Sequence, residues 1–134
     1  MIEKENQMLT EAYMYKILIV EDDSTITAVL KRTLEKWGYE AETISDFGRV
    51  GEEFIRCSPD LVLLDISLPF FDGYYWCQEF RKTSQVPIIF ISSASDDMNL
   101  VMAVNMGADD FLSKPFKLEV VLAKLQALLR RTYT

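Results

Sequence analysis

The residues able to do chemistry in this chain stand at the ends of short apolar runs. ILIV runs into Glu21, Asp22 and Asp23, LVLL ends on Asp65, IIFI ends on Ser92 and Ser93, and the weaker run DDFLS ends on Lys114 and Pro115. In an open parallel α/β sheet the ligand crevice lies outside the carboxyl ends of the strands, so four such endings should converge on one site. Gathered there would be carboxylates, a hydroxyl and an ammonium. Carboxylates a few ångströms apart cannot all stay ionised without a cation among them, so the set implies a bound divalent metal. A carboxylate at the centre of such a crevice can attack a phosphoryl group and hold it as an acyl phosphate, which makes Asp65 the candidate nucleophile. Phosphoryl transfer passes through a loose transition state in which the protein mainly positions oxygens and neutralises charge. One Mg²⁺ suits that task, because it prefers carboxylate, carbonyl and water oxygens. Asp22 would be its main carboxylate, Glu21 a second or water-mediated contact, Asp65 a shared ligand, and the backbone carbonyl of Ser67 a further oxygen. Lys114 would pair with an incoming phosphoryl oxygen as a point charge, and Ser92 would offer its hydroxyl to another.

The elements that must carry these groups alternate along the chain. Apolar patterning predicts strands over 16–20, 39–44, 61–65, 88–92 and 109–113, and helices over 24–37, 46–57, 73–82, 96–106 and 117–131. Asp23 or Ser24 can cap the first helix, Asp46 the second, and Gly38 and Gly107 fit the left-handed position after a helix end. Pro59 stops the second helix from continuing. The first, third and fourth strands are almost wholly apolar, as in strands covered on both faces, whereas YEAETI alternates and belongs at an edge. The expectation is a doubly wound α/β domain with a five-stranded parallel sheet of order 2-1-3-4-5. Right-handed crossovers would put the first and last helices on one face and the other three on the opposite face. An aromatic run, Tyr74 to Trp76, reads as partly core, and Trp37 reads as packing.

Composition narrows the class. The chain has 134 residues and a formal charge of −7, which suits one domain and argues against gripping nucleic acid phosphates directly. Residues 1–14 show no clean period and read as an extension or leader before a domain over 15–134, with Met14 a natural start. No apolar run is long enough to insert in a bilayer, and the start is not signal-like, so a cytoplasmic location is expected. Histidine is absent and Cys57 and Cys77 lack metal spacing, which excludes a zinc site and His-based acid/base catalysis.

The set VEDD, LLDISLPFFDG, FISS and GADDFLSKPF, in this order and spacing, resembles the receiver domain of two-component response regulators, a flavodoxin-like fold. The last of these, followed by a helix ending LLRR, looks like the subfamily whose receivers precede a winged-helix DNA-binding domain. FFDGYYWCQEF and VMAVNMGADD are similar to regulators of cell-envelope and peptide-antibiotic stress in Gram-positive bacteria. The resemblance implies Asp65 as phosphoacceptor, Glu21 and Asp22 as the acidic pair, Ser67 as the carbonyl ligand and a cis peptide between Lys114 and Pro115. Ser92 stands where the family has threonine or serine. Phe111 stands where many members have an aromatic that swings inward on activation, and as phenylalanine it can act only by packing.

The resemblance also implies a sensor histidine kinase as phosphodonor, with Thr25, Ile26 and Val29 as contacts, and a homodimer formed on phosphorylation. DNA would be reached only through a C-terminal domain beyond this chain. In the winged-helix subfamily the dimer face is built from the fourth helix, fifth strand and fifth helix. Asp110 and Lys124 match one of its charge pairs, Asp109 is placed for a second with Arg130 or Arg131, and Leu100 and Val120 occupy the positions of another. Val104, one turn from Leu100, extends the apolar patch. Such a chain is a switch that catalyses only its own phosphoryl transfer and dephosphorylation, not a turnover enzyme. Two alternatives compete. An aspartyl-nucleophile phosphatase usually places a second aspartate two residues after the first, where this chain has Ser67, and no cap domain follows. A phosphorylation-independent interaction module would need no cluster of three costly carboxylates.

Overall fold

The computed structural model describes residues 15–93 and 96–134. Residues 1–14, read from sequence as an extension, lie outside that range. Among the described residues five strands and five helices alternate: β1 Lys16–Val20, α1 Ser24–Lys36, β2 Glu40–Thr43, α2 Val50–Cys57, β3 Leu61–Asp65, α3 Gly73–Arg81, β4 Ile88–Ser92, α4 Leu100–Asn105, β5 Asp110–Ser113 and α5 Leu118–Tyr133. The sheet has the order β2-β1-β3-β4-β5, with every pairing parallel. This is the expected doubly wound, flavodoxin-like arrangement.

The apolar strand sequences follow from burial on both faces. Ile17 and Ile19 of β1 join Leu30 and Leu34 of α1 and Leu122, Leu125 and Leu129 of α5 in one layer. Leu18 and Val20 point the other way, into a layer with Val50, Phe54 and Cys57 of α2, Trp76, Cys77 and Phe80 of α3, and Ala103 of α4. The period of two along a strand therefore separates the two helix layers as right-handed crossovers require. At the edge, β2 keeps one buried residue, Ala41, among exposed or half-buried neighbours.

Helix ends are set by local hydrogen bonds. Asp23 Oδ1 accepts from the backbone N–H groups of Thr25 and Ile26 at 2.9 and 3.1 Å, so Asp23 is the cap of α1. Gly38 and Gly107 adopt φ of 91° and 102°, as the left-handed position after a helix requires. Two helices begin later than their sequence suggests. Asp46 spends its carboxylate on Gly48 N–H, and Glu53 reaches back to the N–H groups of Ser45 and Asp46, so a turn occupies 46–49 and α2 starts at Val50. Asp97 has φ of 49°, which breaks any helix begun at Asp96, and Asn99 caps α4 by accepting Met102 N–H at 3.0 Å.

Aromatic placement divides likewise. Trp76 is buried and Tyr74 packs edge-on against Phe90, while Tyr75 is exposed and stacks on Phe71. Trp37 is a correction to the packing expected of it: it lies at the end of α1 with 54% of its surface exposed.

Candidate functional site

The strand register brings the chemical residues together. Val20 is level with Leu64, Asp65 with Ile91, and Ser92 with Ser113, so β1, β3, β4 and β5 finish in line at one end of the sheet. The residues that follow them form one cluster. Asp65 and Ser92 each keep only 2% of their surface exposed, and Glu21 keeps 3%. Lys114 reaches across from β5, placing Nζ 2.8 Å from Glu21 Oε1 and 3.3 Å from Asp65 Oδ2. The bond between Lys114 and Pro115 is cis, as expected, and the Lys114 N–H donates to the Ser92 carbonyl at 2.7 Å.

Burial raises the Asp65 carboxyl to about 7, and the hydrogen bond and charge of Glu21 push the same way against the opposing pull of Lys114. Asp22, exposed at the mouth, is raised by desolvation and by Glu21. Burial works against the Lys114 charge, but the hydrogen bond to Glu21 and the fields of Asp65 and Glu21 outweigh it and raise its pKa.

Carboxylate oxygens of Glu21, Asp22 and Asp65 lie within 4.8 Å of one another. Three carboxylates facing one ammonium leave a deficit of two positive charges, the charge of a single divalent ion. The donors are all hard oxygens, with no thiol or imidazole among them, so the set fits Mg²⁺ rather than zinc. Ser67 stands beside them, its backbone N–H donating to Asp65 Oδ1 at 3.3 Å. Glu21 is fixed from below, with Oε2 accepting Asp23 N–H at 3.1 Å and the Glu21 carbonyl accepting the Thr27 hydroxyl at 3.0 Å.

Ser92 turns its hydroxyl to the Ser93 carbonyl at 3.1 Å, and Phe111 is half-buried against the core of the α2, α3 and α4 layer. On the far side of β5 the expected interface residues divide. Leu100, Val104 and Val120 are exposed by 52%, 54% and 40%, and Asp110 pairs with Lys124 of its own chain at 3.0 Å. Within its own chain the Asp109 carboxylate takes Arg81 Nη2 at 3.2 Å and Ile88 N–H at 2.8 Å, and Arg81 is held beside it because it also binds the carbonyls of Gly107 and Val86.

One polar residue at the site escaped the sequence reading. Asp96, taken for the start of a helix, accepts Ser93 N–H at 2.7 Å and lies 3.4 Å from the Ser67 hydroxyl. Nothing in its spacing marks it, since the contact to Ser67 joins two loops 29 residues apart.

Comparison with known proteins agrees with this geometry. Residues 17–126 match the response regulator receiver domain family. An uncharacterized transcriptional regulatory protein of Bacillus subtilis, YvcP, is 53% identical over 120 residues, covering 90% of this chain and 51% of the relative. The sensory transduction protein BceR of Halalkalibacterium halodurans is 48% identical, covering 90% of this chain and 52% of that protein. The chain thus spans about half the length of these curated relatives. Among solved structures, the N-terminal domain of the nisin resistance regulator NsrR, a lantibiotic response regulator, superposes with a TM-score of 0.83 at 53% identity, covering 87% of this chain and 98% of that domain. The acid cluster, the lysine across from it and the match over most of its length place this chain in the response regulator receiver family.

Proposed function

We propose that this chain is a phosphorylation-controlled switch in which Asp65 accepts a phosphoryl group from a sensor histidine kinase or a small phosphodonor. The observation that carries the reading is the buried carboxylate of Asp65 at the end of β3, contacted by Lys114 and flanked by Glu21 and Asp22. An Asp65 oxygen attacks phosphorus and the bond to the donor breaks with its electron pair: the P–N bond of a phosphohistidine or phosphoramidate, whose nitrogen takes up a proton, or the P–O bond of acetyl phosphate, which leaves as acetate. An acyl phosphate remains. Glu21, Asp22, Asp65 and the Ser67 carbonyl would hold one Mg²⁺, which when bound draws charge off the phosphoryl oxygens. Lys114 pairs with one of those oxygens, and the Ser92 hydroxyl turns from the Ser93 carbonyl to another. The space Ser92 leaves lets Phe111 repack.

The output is dimerisation through α4, β5 and α5, centred on Leu100, Val104 and Val120. In the full-length protein this would control a winged-helix DNA-binding domain, so DNA is a partner of that domain and not of this acidic one. Among the described residues no helix is long and apolar enough to cross a membrane, in keeping with a cytoplasmic switch. Likeness to a lantibiotic response regulator supports a role in resistance to peptide antibiotics. Ser67 in place of a second aspartate disfavours a turnover phosphatase.

Intact mass after incubation with phosphoramidate or acetyl phosphate, with and without Mg²⁺, tests the reading. Wild type should gain one phosphoryl group only with Mg²⁺, and Asp65→Asn should gain none. A folded, Mg²⁺-replete wild type without mass gain would favour a phosphorylation-independent module.

A further inference from the structure

Ser67 lies between two carboxylates. Its backbone N–H donates to Asp65 Oδ1 at 3.3 Å, and its hydroxyl donates to Asp96 Oδ1 at 3.4 Å. The other oxygen of Asp96 accepts the Ser93 N–H at 2.7 Å and the Ser93 hydroxyl at 3.0 Å. The Ser93 carbonyl in turn accepts the Ser92 hydroxyl at 3.1 Å. A continuous path of contacts thus runs from the acceptor carboxylate, over the gap between the β3–α3 and β4–α4 loops, to the hydroxyl assigned to the phosphoryl group. Asp96 is the link that crosses the gap, and no step of the transfer uses it.

From this path we infer that Asp96 is a positioning residue, a latch that holds the Ser67 and Ser92 hydroxyls off Asp65 until a phosphoryl group arrives. The inference rests on Asp65 being the phosphoacceptor. Its physics is competition for one hydroxyl. At 3.4 Å the Ser67–Asp96 contact is near the limit of hydrogen bonding and exposed, so it is weak and easily exchanged. A phosphoryl group on Asp65 adds negative charge and three strong acceptor oxygens beside Ser67. The Ser67 hydroxyl then turns to a phosphoryl oxygen, the Asp96 carboxylate is repelled by the new charge, and its grip on Ser93 is released. The Ser93 carbonyl moves with its residue, and the Ser92 hydroxyl is free to follow the phosphoryl group. Until that exchange the carboxylate of Asp96 opposes the approach of an anionic donor and keeps both hydroxyls turned away.

The test is the rate of Mg²⁺-dependent phosphorylation by phosphoramidate, followed by intact mass, in wild type, Asp96→Ala, Asp96→Asn, Ser67→Ala and the double variant Ser67→Ala/Asp96→Ala. Removing the latch should speed phosphorylation about three- to tenfold in Asp96→Ala, the range expected for losing one modest hydrogen-bonded restraint. Asp96→Asn, which retains an acceptor without charge, should fall between wild type and Asp96→Ala, and it carries the test if the alanine variant does not fold. Because the latch acts in part through Ser67, Asp96→Ala should give a smaller factor in the Ser67→Ala background than alone. A rate for Asp96→Ala at or below wild type, or the same factor in both backgrounds, overturns the latch while leaving the phosphoacceptor intact. No mass gain in wild type removes the phosphoacceptor reading and the latch together.

Discussion

Asp65 is held in a setting that favours its protonated form, and that has a measurable cost to the fold. Its carboxyl is raised from the usual 3.8 to about 7, first by burial and then by Glu21. A carboxyl that binds its proton more tightly in the folded than in the unfolded state loses stability as pH rises from the unfolded value through the folded one. Above neutrality, without metal, ionised Asp65 therefore works against folding. Urea denaturation in EDTA at pH 8 should show Asp65→Asn more stable than wild type by roughly 1–3 kcal/mol, with the gap closing toward pH 4 and shrinking when Mg²⁺ is added. Equal midpoints at pH 8 would show that Lys114 already neutralises the charge in full. The place of this residue in the acidic cluster was legible in the sequence because an aspartate that ends an apolar strand has few bland explanations. Asp23, two positions after Glu21, has one, and capping α1 is what it does. Asp96 could not be read in the same way, since its partner Ser67 comes from another loop and no local pattern announces it.

At the level of elements, the junction of β3 and α3 leaves no room beside Asp65. A Cβ on Gly73 would overlap the Asp65 carbonyl oxygen and lie 2.9 Å from Ile66 Cα, all of it backbone that cannot step aside. Gly73 N–H donates to the Ile66 carbonyl at 2.8 Å, which fixes this close approach. Gly73→Ala should cost about 2–4 kcal/mol in urea denaturation and slow phosphorylation as well, because the displaced backbone is that of Asp65 itself. Gly51→Ala is the control: its Cβ would meet only the edge of the Trp76 ring at 3.3 Å, and gains in helix propensity should bring it close to neutral. A near-neutral Gly73→Ala would mean that the helix start can shift without moving the strand. The strands and the helix-ending glycines were legible because apolar runs and left-handed positions have simple residue signatures. The starts of α2 and α4 were not, because Asp46 and Asp96 have the composition of helix caps but spend their carboxylates on Gly48 N–H and on Ser93 and Ser67.

On the scale of the whole molecule, the edge of the sheet where α4 and α5 flank β5 leaves apolar surface uncovered. Asp109 is bound to Arg81 and Asp110 to Lys124 within the chain, while Leu100, Val104 and Val120 stay exposed. A dimer built there rests on apolar contact and should be little affected by salt, which screens only charges. In sedimentation of the phosphorylated protein, Leu100→Asp should weaken association about tenfold or more, whereas raising salt from 50 to 500 mM should change it by less than about threefold. Identical dissociation of wild type and Leu100→Asp would move the interface elsewhere. The sheet order and the division of helices between its faces followed from strand apolarity and crossover handedness. The Arg81–Asp109 pairing did not, because it depends on where the end of α3 comes to lie against the turn after α4.

The attachment of α4 has a mechanical consequence. Ala103 is its one fully buried residue, Met102 beside it is half-buried, and Met98 and Met106 at its margins pack partly buried against the same core layer. Where α5 fastens itself with five buried aliphatic residues, α4 has one buried methyl group and half-buried methionines, long unbranched chains that settle into many shapes at small cost. Such a mounting is compliant. A displacement of an ångström or so before α4 can slide the helix along its bed instead of being absorbed as strain in the sheet, so the helix that carries Leu100 and Val104 into the proposed dimer face is also the one most easily pushed.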